Sequence, residues 1–109
     1  MVFAHPALEI QISDLSRAIN LSPDASGLYL KRGLLHQRHG NRDLAKQDFE
    51  AARALVDSAD VQVALGNLYL AEGDPGRASV YFAEAIKLSS KSSAAWLGQA
   101  KTATALGAD

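Results

Sequence analysis

A chain of 109 residues, 48% apolar and 21% charged, fits one domain of ordinary globular composition. Eleven basic and twelve acidic side chains are mixed along it for a net charge of −1, without a basic tract, which leaves nucleic-acid binding little support. No apolar run approaches the ~18 residues of a membrane helix, so no membrane insertion is expected, and the lack of cysteine removes disulfides and thiol chemistry without choosing a compartment.

The N-terminal MVFAHPALEIQ has neither a basic start nor a continuous apolar core, so no signal peptide is read there. The compartment stays open, with the cytoplasm favoured. Residues 1–6 form a short lead ending at Pro6, which suits a first helical turn. Leu8, Ile12, Leu15, Ala18 and Ile19 recur at helical spacing over 7–20, and Pro23-Asp24 close that helix. The next helix spans 25–39, with Leu28, Gly33, Leu35 and His36 on one side. Gly40 ends it and Asn41 caps its successor. Residues 42–56 carry Leu44, Ala45, Phe49, Ala52, Leu55 and Val56 as an apolar set, followed by an Asp57-Ser58 link. A fourth helix over 59–72 turns Val61, Leu65, Leu68 and Tyr69 inward and stops at Gly73. Asp74 is a strong N-cap and Pro75 sits at the first helical position, where a missing N–H is harmless. Ala78, Phe82, Ala85 and Ile86 mark a fifth helix over 76–88, and Ser89-Ser90 link onward. The last, 91–106, holds Trp96, Leu97, Gly98 and Lys101.

These elements contain a near-copy. Shifted by 33 residues, Gly33 falls on Gly66, His36 on Tyr69, Gly40-Asn41 on Gly73-Asp74, Ala45 on Ala78, Phe49 on Phe82 and Ala52 on Ala85. A repeat of this length is one supersecondary unit, here two helices broken at a glycine and a cap. Glycine inside a helix costs roughly 1 kcal/mol against alanine. Its presence at the same place twice predicts helices that cross too closely for a side chain, with Phe49 and Phe82 as the wedges between them.

The pattern Leu65-Gly66, Tyr69, Ala78, Phe82, Ala85, with Tyr29, Gly33, Ala45, Phe49 and Ala52 before it, resembles the tetratricopeptide repeat (TPR) family. The earlier copy departs at Arg32, where the family usually has Leu, and at His36, where it usually has Tyr. The period is 33 rather than the usual 34. The run DLSRAINLSPD at 14–24 resembles the end of a second TPR helix, and Leu97-Gly98 repeats the Leu65-Gly66 signal with Lys101 in place of Tyr69. The resemblance implies an all-α fold: a right-handed superhelical array of antiparallel hairpins with six helices. It implies one TPR-like domain over 1–109, made of a half repeat (7–24), two complete repeats (26–58 and 59–90) and a half repeat or capping helix (91–106).

Residues suited to chemistry are few. His36 and His39 are three apart, but no third ligand is evident and His5 is remote, so His36 is read as a core or boundary histidine and no metal is expected. Asp43, Asp48 and Glu50, near Lys46 and Arg53, read as a solvated helix face. Ser89, Ser90, Ser92 and Ser93 read as a linker and helix start, and Gly73 to Gly76 as a turn rather than a phosphate loop. The expectation is a non-catalytic chain without a cofactor. In the TPR family the first helix of each hairpin lines the concave groove of the array, and a partner peptide or helix is expected to bind there. The matching residues are Leu30, Lys31, Leu34 and Arg38, then Val63, Ala64 and Asn67, then Trp96 and Gln99. Their mixture of apolar and positive groups suits a partner peptide or helix with apolar and acidic groups. The carboxylate clamp of the chaperone-binding subgroup is missing at Leu30, Leu34, Ala64, Ser92 and Trp96. The alternative is a structural or oligomerisation segment that works through its end helices, stacking on itself or on other parts of a longer chain, with Trp96 as an end-face contact.

Overall fold

The computed structural model describes residues 6–107, so the lead before Pro6, with His5, lies outside the described residues. Within them are six α-helices and no strand: α1 (Pro6–Leu21), α2 (Ser26–Arg38), α3 (Arg42–Leu55), α4 (Ala59–Ala71), α5 (Pro75–Leu88) and α6 (Ser93–Ala105). The boundaries follow from capping chemistry. Asn41 accepts from the Leu44 N–H, Ser58 from Val61, Asp74 from Arg77 and Ser92 from Ala95, so four helices begin with a side-chain oxygen on an otherwise orphaned donor. The first helices of the two hairpins both stop at a glycine in the left-handed region, Gly40 at φ +83° and Gly73 at φ +80°.

The chain divides into two compact units. In the first, which ends at Val56, α2 pairs with α3 on one side and α1 on the other. Ala45, Phe49 and Ala52 of α3 are buried. A Cβ on Gly33 would lie 2.6 Å from the Phe49 ring, which is why this crossing requires glycine. Leu44 and Leu55, expected among the apolar set of α3, each stay 38% exposed. Within this unit α3 meets α2 alone, along the stripe of Ala45, Phe49 and Ala52, and these two leucines lie off that stripe.

In the second unit, which begins at Asp57, α4 pairs with α5, and α6 packs on both. Phe82 is fully buried between two glycines. A Cβ on Gly66 would come within 2.6 Å of its ring, and one on Gly98 would come closer still. Tyr69, Ala78 and Phe82 form a buried cluster extended by Val63, Leu70 and Tyr81. The Tyr69 and Tyr81 rings stack at 5.2 Å between centroids, within 7° of parallel.

Candidate functional site: a cleft between α1 and α2

The two faces of α2 do different things. Arg32, Gly33 and His36 turn toward α3, while Lys31, Leu34, Leu35 and Arg38 recur at helical spacing on the side that faces α1. Between α1 and α2 lies a cavity of about 430 Å³, walled by Gln11, Asp14 and Leu15 from α1 and by those four residues from α2. Leu34 is 45% exposed, and Lys31 and Arg38 are open to solvent. The cleft thus has an apolar floor of leucines, two cations on the α2 wall and one carboxylate on the α1 wall.

A partly buried polar joint holds the two walls in place. The Arg32 guanidinium donates from Nε to Asp48 Oδ2 at 2.8 Å and from Nη2 to Asp48 Oδ1 at 2.7 Å, a two-pronged contact between α2 and α3. Its Nη1 donates to Ser16 Oγ on α1 at 3.1 Å, and the Ser16 hydroxyl donates to the Ile12 carbonyl. His36 Nε2 lies 3.7 Å from Asp48 Oδ2. Burial pushes His36 below the usual imidazole value, with Asp48 opposing the effect and the neighbouring Arg32 and His39 adding to it. The hydrogen bond to Asp48 raises Arg32 above its already high value.

Asp48 therefore corrects the sequence reading: it is 4% exposed, not part of a solvated face. In the register of the repeat, Arg32, His36 and Asp48 stand where the second unit has Leu65, Tyr69 and Tyr81. An apolar and aromatic layer has been replaced by a charged one. The signal was in the sequence. Arg32 breaks the motif at its leucine, and Asp48 follows it by the sixteen residues that separate Gly33 from Phe49.

The other residues assigned to the groove divide into open and occupied. Leu30 is half-buried on α2. In the second unit Val63 packs on the Tyr69–Phe82 cluster and Ala64 is buried, while Asn67 is exposed. Trp96 is 55% exposed, with its indole N–H donated to the Ser90 carbonyl at 2.9 Å. Gln99 is turned onto α5, where its amide donates to the Ser79 carbonyl at 3.3 Å and its carbonyl accepts from the Ser79 hydroxyl at 3.2 Å. Among the described residues no cluster of three or more His, Cys, Asp or Glu is placed to hold a metal, and no helix is long and apolar enough to cross a membrane.

The fold superposes on the crystal structure of a thermophilic TPR protein of Thermus thermophilus with a TM-score of 0.79 and 32% sequence identity, over 91% of this chain. A family model of the tetratricopeptide repeat matches residues 59–92, the stretch from α4 to the cap of α6. The chain belongs to the TPR-like repeat family. Its six helices, arranged in hairpin pairs, are those of a TPR-like array. The chain spans half the length of the solved TPR protein. No curated protein matches it. TPR repeats are non-catalytic scaffolds for protein–protein interaction.

Proposed function

We propose that this TPR chain is a protein-interaction module whose working surface in the first unit is the α1–α2 cleft, and that its ligand is a partner peptide or helix carrying apolar side chains beside a carboxylate. In this reading α2–α3 and α4–α5 are the two complete repeats of one domain, and α1 and α6 are half units. The observation that carries it is the cleft itself: Leu34, nearly half exposed, lies over an apolar floor between Lys31 and Arg38. A merely solvated face would favour polar groups there. The leucines supply burial, and the two cations steer an acidic group to the rim.

Peptides selected from a displayed library on the wild-type chain test this. They should combine apolar residues with Asp or Glu. Leu34→Asp should weaken them by at least ~10-fold, about 1.4 kcal/mol, with unchanged helicity. Lys31→Glu with Arg38→Glu should slow association and flatten its salt dependence. Selected peptides that bind Leu34→Asp as tightly as wild type would place the contact elsewhere, with the exposed Trp96 face of the second unit as the next surface to examine.

A further inference from the structure

We infer that the α1–α2 cleft takes an amphipathic helix of a partner protein that carries two carboxylates seven residues apart with an adjacent apolar pair midway between them, acid-x-x-apolar-apolar-x-x-acid. The inference rests on the cleft being the working surface proposed above, and narrows its ligand to one shape and one spacing.

It starts from the order of residues on α2. Lys31 and Arg38 bracket Leu34 and Leu35 symmetrically, with two residues between each cation and the nearer leucine. Residues three, four and seven apart share a helix face, so the four form one stripe, and all four line the cavity. Leu34 is exposed and Leu35 half-buried. Seven residues of helix rise about 10 Å, so the two cations stand about 10 Å apart along the axis with apolar surface between them.

Charge places the ligand's acids on one edge. Asp14, the carboxylate on the facing wall, is engaged with Arg17 at 2.8 Å. No ion pair engages Lys31 or Arg38 among the described residues. A carboxylate laid along α2 therefore meets a cation at either end of the stripe, whereas one laid along α1 is repelled by Asp14. Acidity as such is not enough: a helix acidic all round gains on one wall and loses on the other.

Spacing selects the helix. In an extended strand, side chains return to the same face every second residue, about 7 Å apart, or about 14 Å after four, and neither step matches the cations. A polyproline helix advances about 9 Å in three residues, which is near the required span, but turns the two residues between its acids away from that face. An α-helix has the same seven-residue return as α2 itself, and its positions three and four after the first acid lie on the same face over Leu34 and Leu35.

Synthetic peptides of about 16 residues in an alanine–glutamine host, long enough to form a helix on binding, test this by fluorescence anisotropy on the wild-type chain. The first carries Glu, Leu-Leu and Glu at the inferred spacing. The second moves one Glu two positions, to the opposite face. The third keeps the spacing but has proline after the leucines. The first should bind at least about 10-fold tighter than either of the others. Lys31→Glu should weaken the first peptide by about 10-fold, and changing one of its two acids to Lys should restore binding; Arg38→Glu should be restored by Lys at the other acid only. A second or third peptide that binds as tightly as the first, a first peptide that does not bind, or charge reversals rescued at the same position or at neither would overturn the inference. The cleft reading is judged separately, by the library-selected peptides: if they need Leu34 but lack the seven-residue spacing, the cleft stands and the helix motif falls, and if they bind Leu34→Asp as tightly as wild type, the cleft itself falls.

Discussion

The Arg32–Asp48 pair offers the sharpest check on how the first unit is built. The Asp48 side chain retains 6% of its exposure and that of Arg32 22%. Removing one member of a fully buried pair costs about 3–5 kcal/mol, because the other charge is left without compensation. For Asp48→Ala the orphan is a guanidinium with some access to water and a remaining bond to Ser16, so the loss should fall near the bottom of that range, about 3 kcal/mol. For Arg32→Leu the orphan is an almost fully covered carboxylate with only His36 nearby, so the loss should be larger, about 4 kcal/mol. The double variant Arg32→Leu/Asp48→Tyr copies Leu65 and Tyr81 of the second unit, and exchanging a buried ion pair for packed apolar groups is often neutral or stabilising. It should therefore lie within about 1–2 kcal/mol of wild type, far above the sum of its parts. Urea melts followed by far-ultraviolet circular dichroism on the four proteins give the cycle. Single losses below about 1 kcal/mol, or an additive double variant, would refute the reasoning, since they would mean that the pair is solvated and uncoupled.

Two further outcomes concern packing and pH. Phe49→Ala and Phe82→Ala should each cost about 3–5 kcal/mol in denaturant melts, with Phe82 the larger because it fills the space between Gly66 and Gly98; losses under about 1 kcal/mol would show that the rings do not wedge the hairpins. His36 is held below its unfolded value, so the unfolded chain binds more protons at acid pH, and the stability associated with neutral His36 is full above about pH 6.5 and is lost as the pH falls through the lower folded value. The urea midpoint should therefore drop between about pH 7.5 and about pH 5, and drop less in His36→Gln; equal acid slopes in the two proteins would remove His36 as the cause.

Much of this was visible in the sequence, because backbone geometry dictated the residue. Glycine at 33, 66 and 98 is required by the close approach of a phenylalanine ring. Asn41 and Asp74 are required by exposed N–H groups, and Gly40 and Gly73 by a positive φ. The register also led to Lys31, Leu34 and Arg38, which do line one cleft. What stayed hidden were choices made between side chains across a helix pair. Asp48 follows Lys46 and Gln47 and precedes Phe49 and Glu50, a neighbourhood that reads as surface, and its partner lies on another helix. Gln99 illustrates the same limit. It falls two repeats on from Leu34, yet its amide is long enough and polar enough to reach back to Ser79, so one position borders a cleft in the first unit and a polar tether in the second.

The polar joint and the cleft are connected through consecutive residues. Asp14 and Leu15 form part of the α1 wall, and Ser16, the next residue, accepts the third bond from Arg32. Arg32 is one position from Lys31 on the opposite wall. A single guanidinium thus links α1 and α3 through α2, and does so directly behind the surface proposed to meet a ligand. An aromatic layer of the Tyr69–Tyr81 kind fixes a pair of rings by stacking, whereas the forked donors of Arg32 fix three helices with directional bonds. That difference gives a physical reason for the departure from the repeat motif to fall at Arg32. Within the first unit α1 is held by α2 alone, and a directional bond to Ser16 sets the position of a wall that packing on one side would leave less well determined.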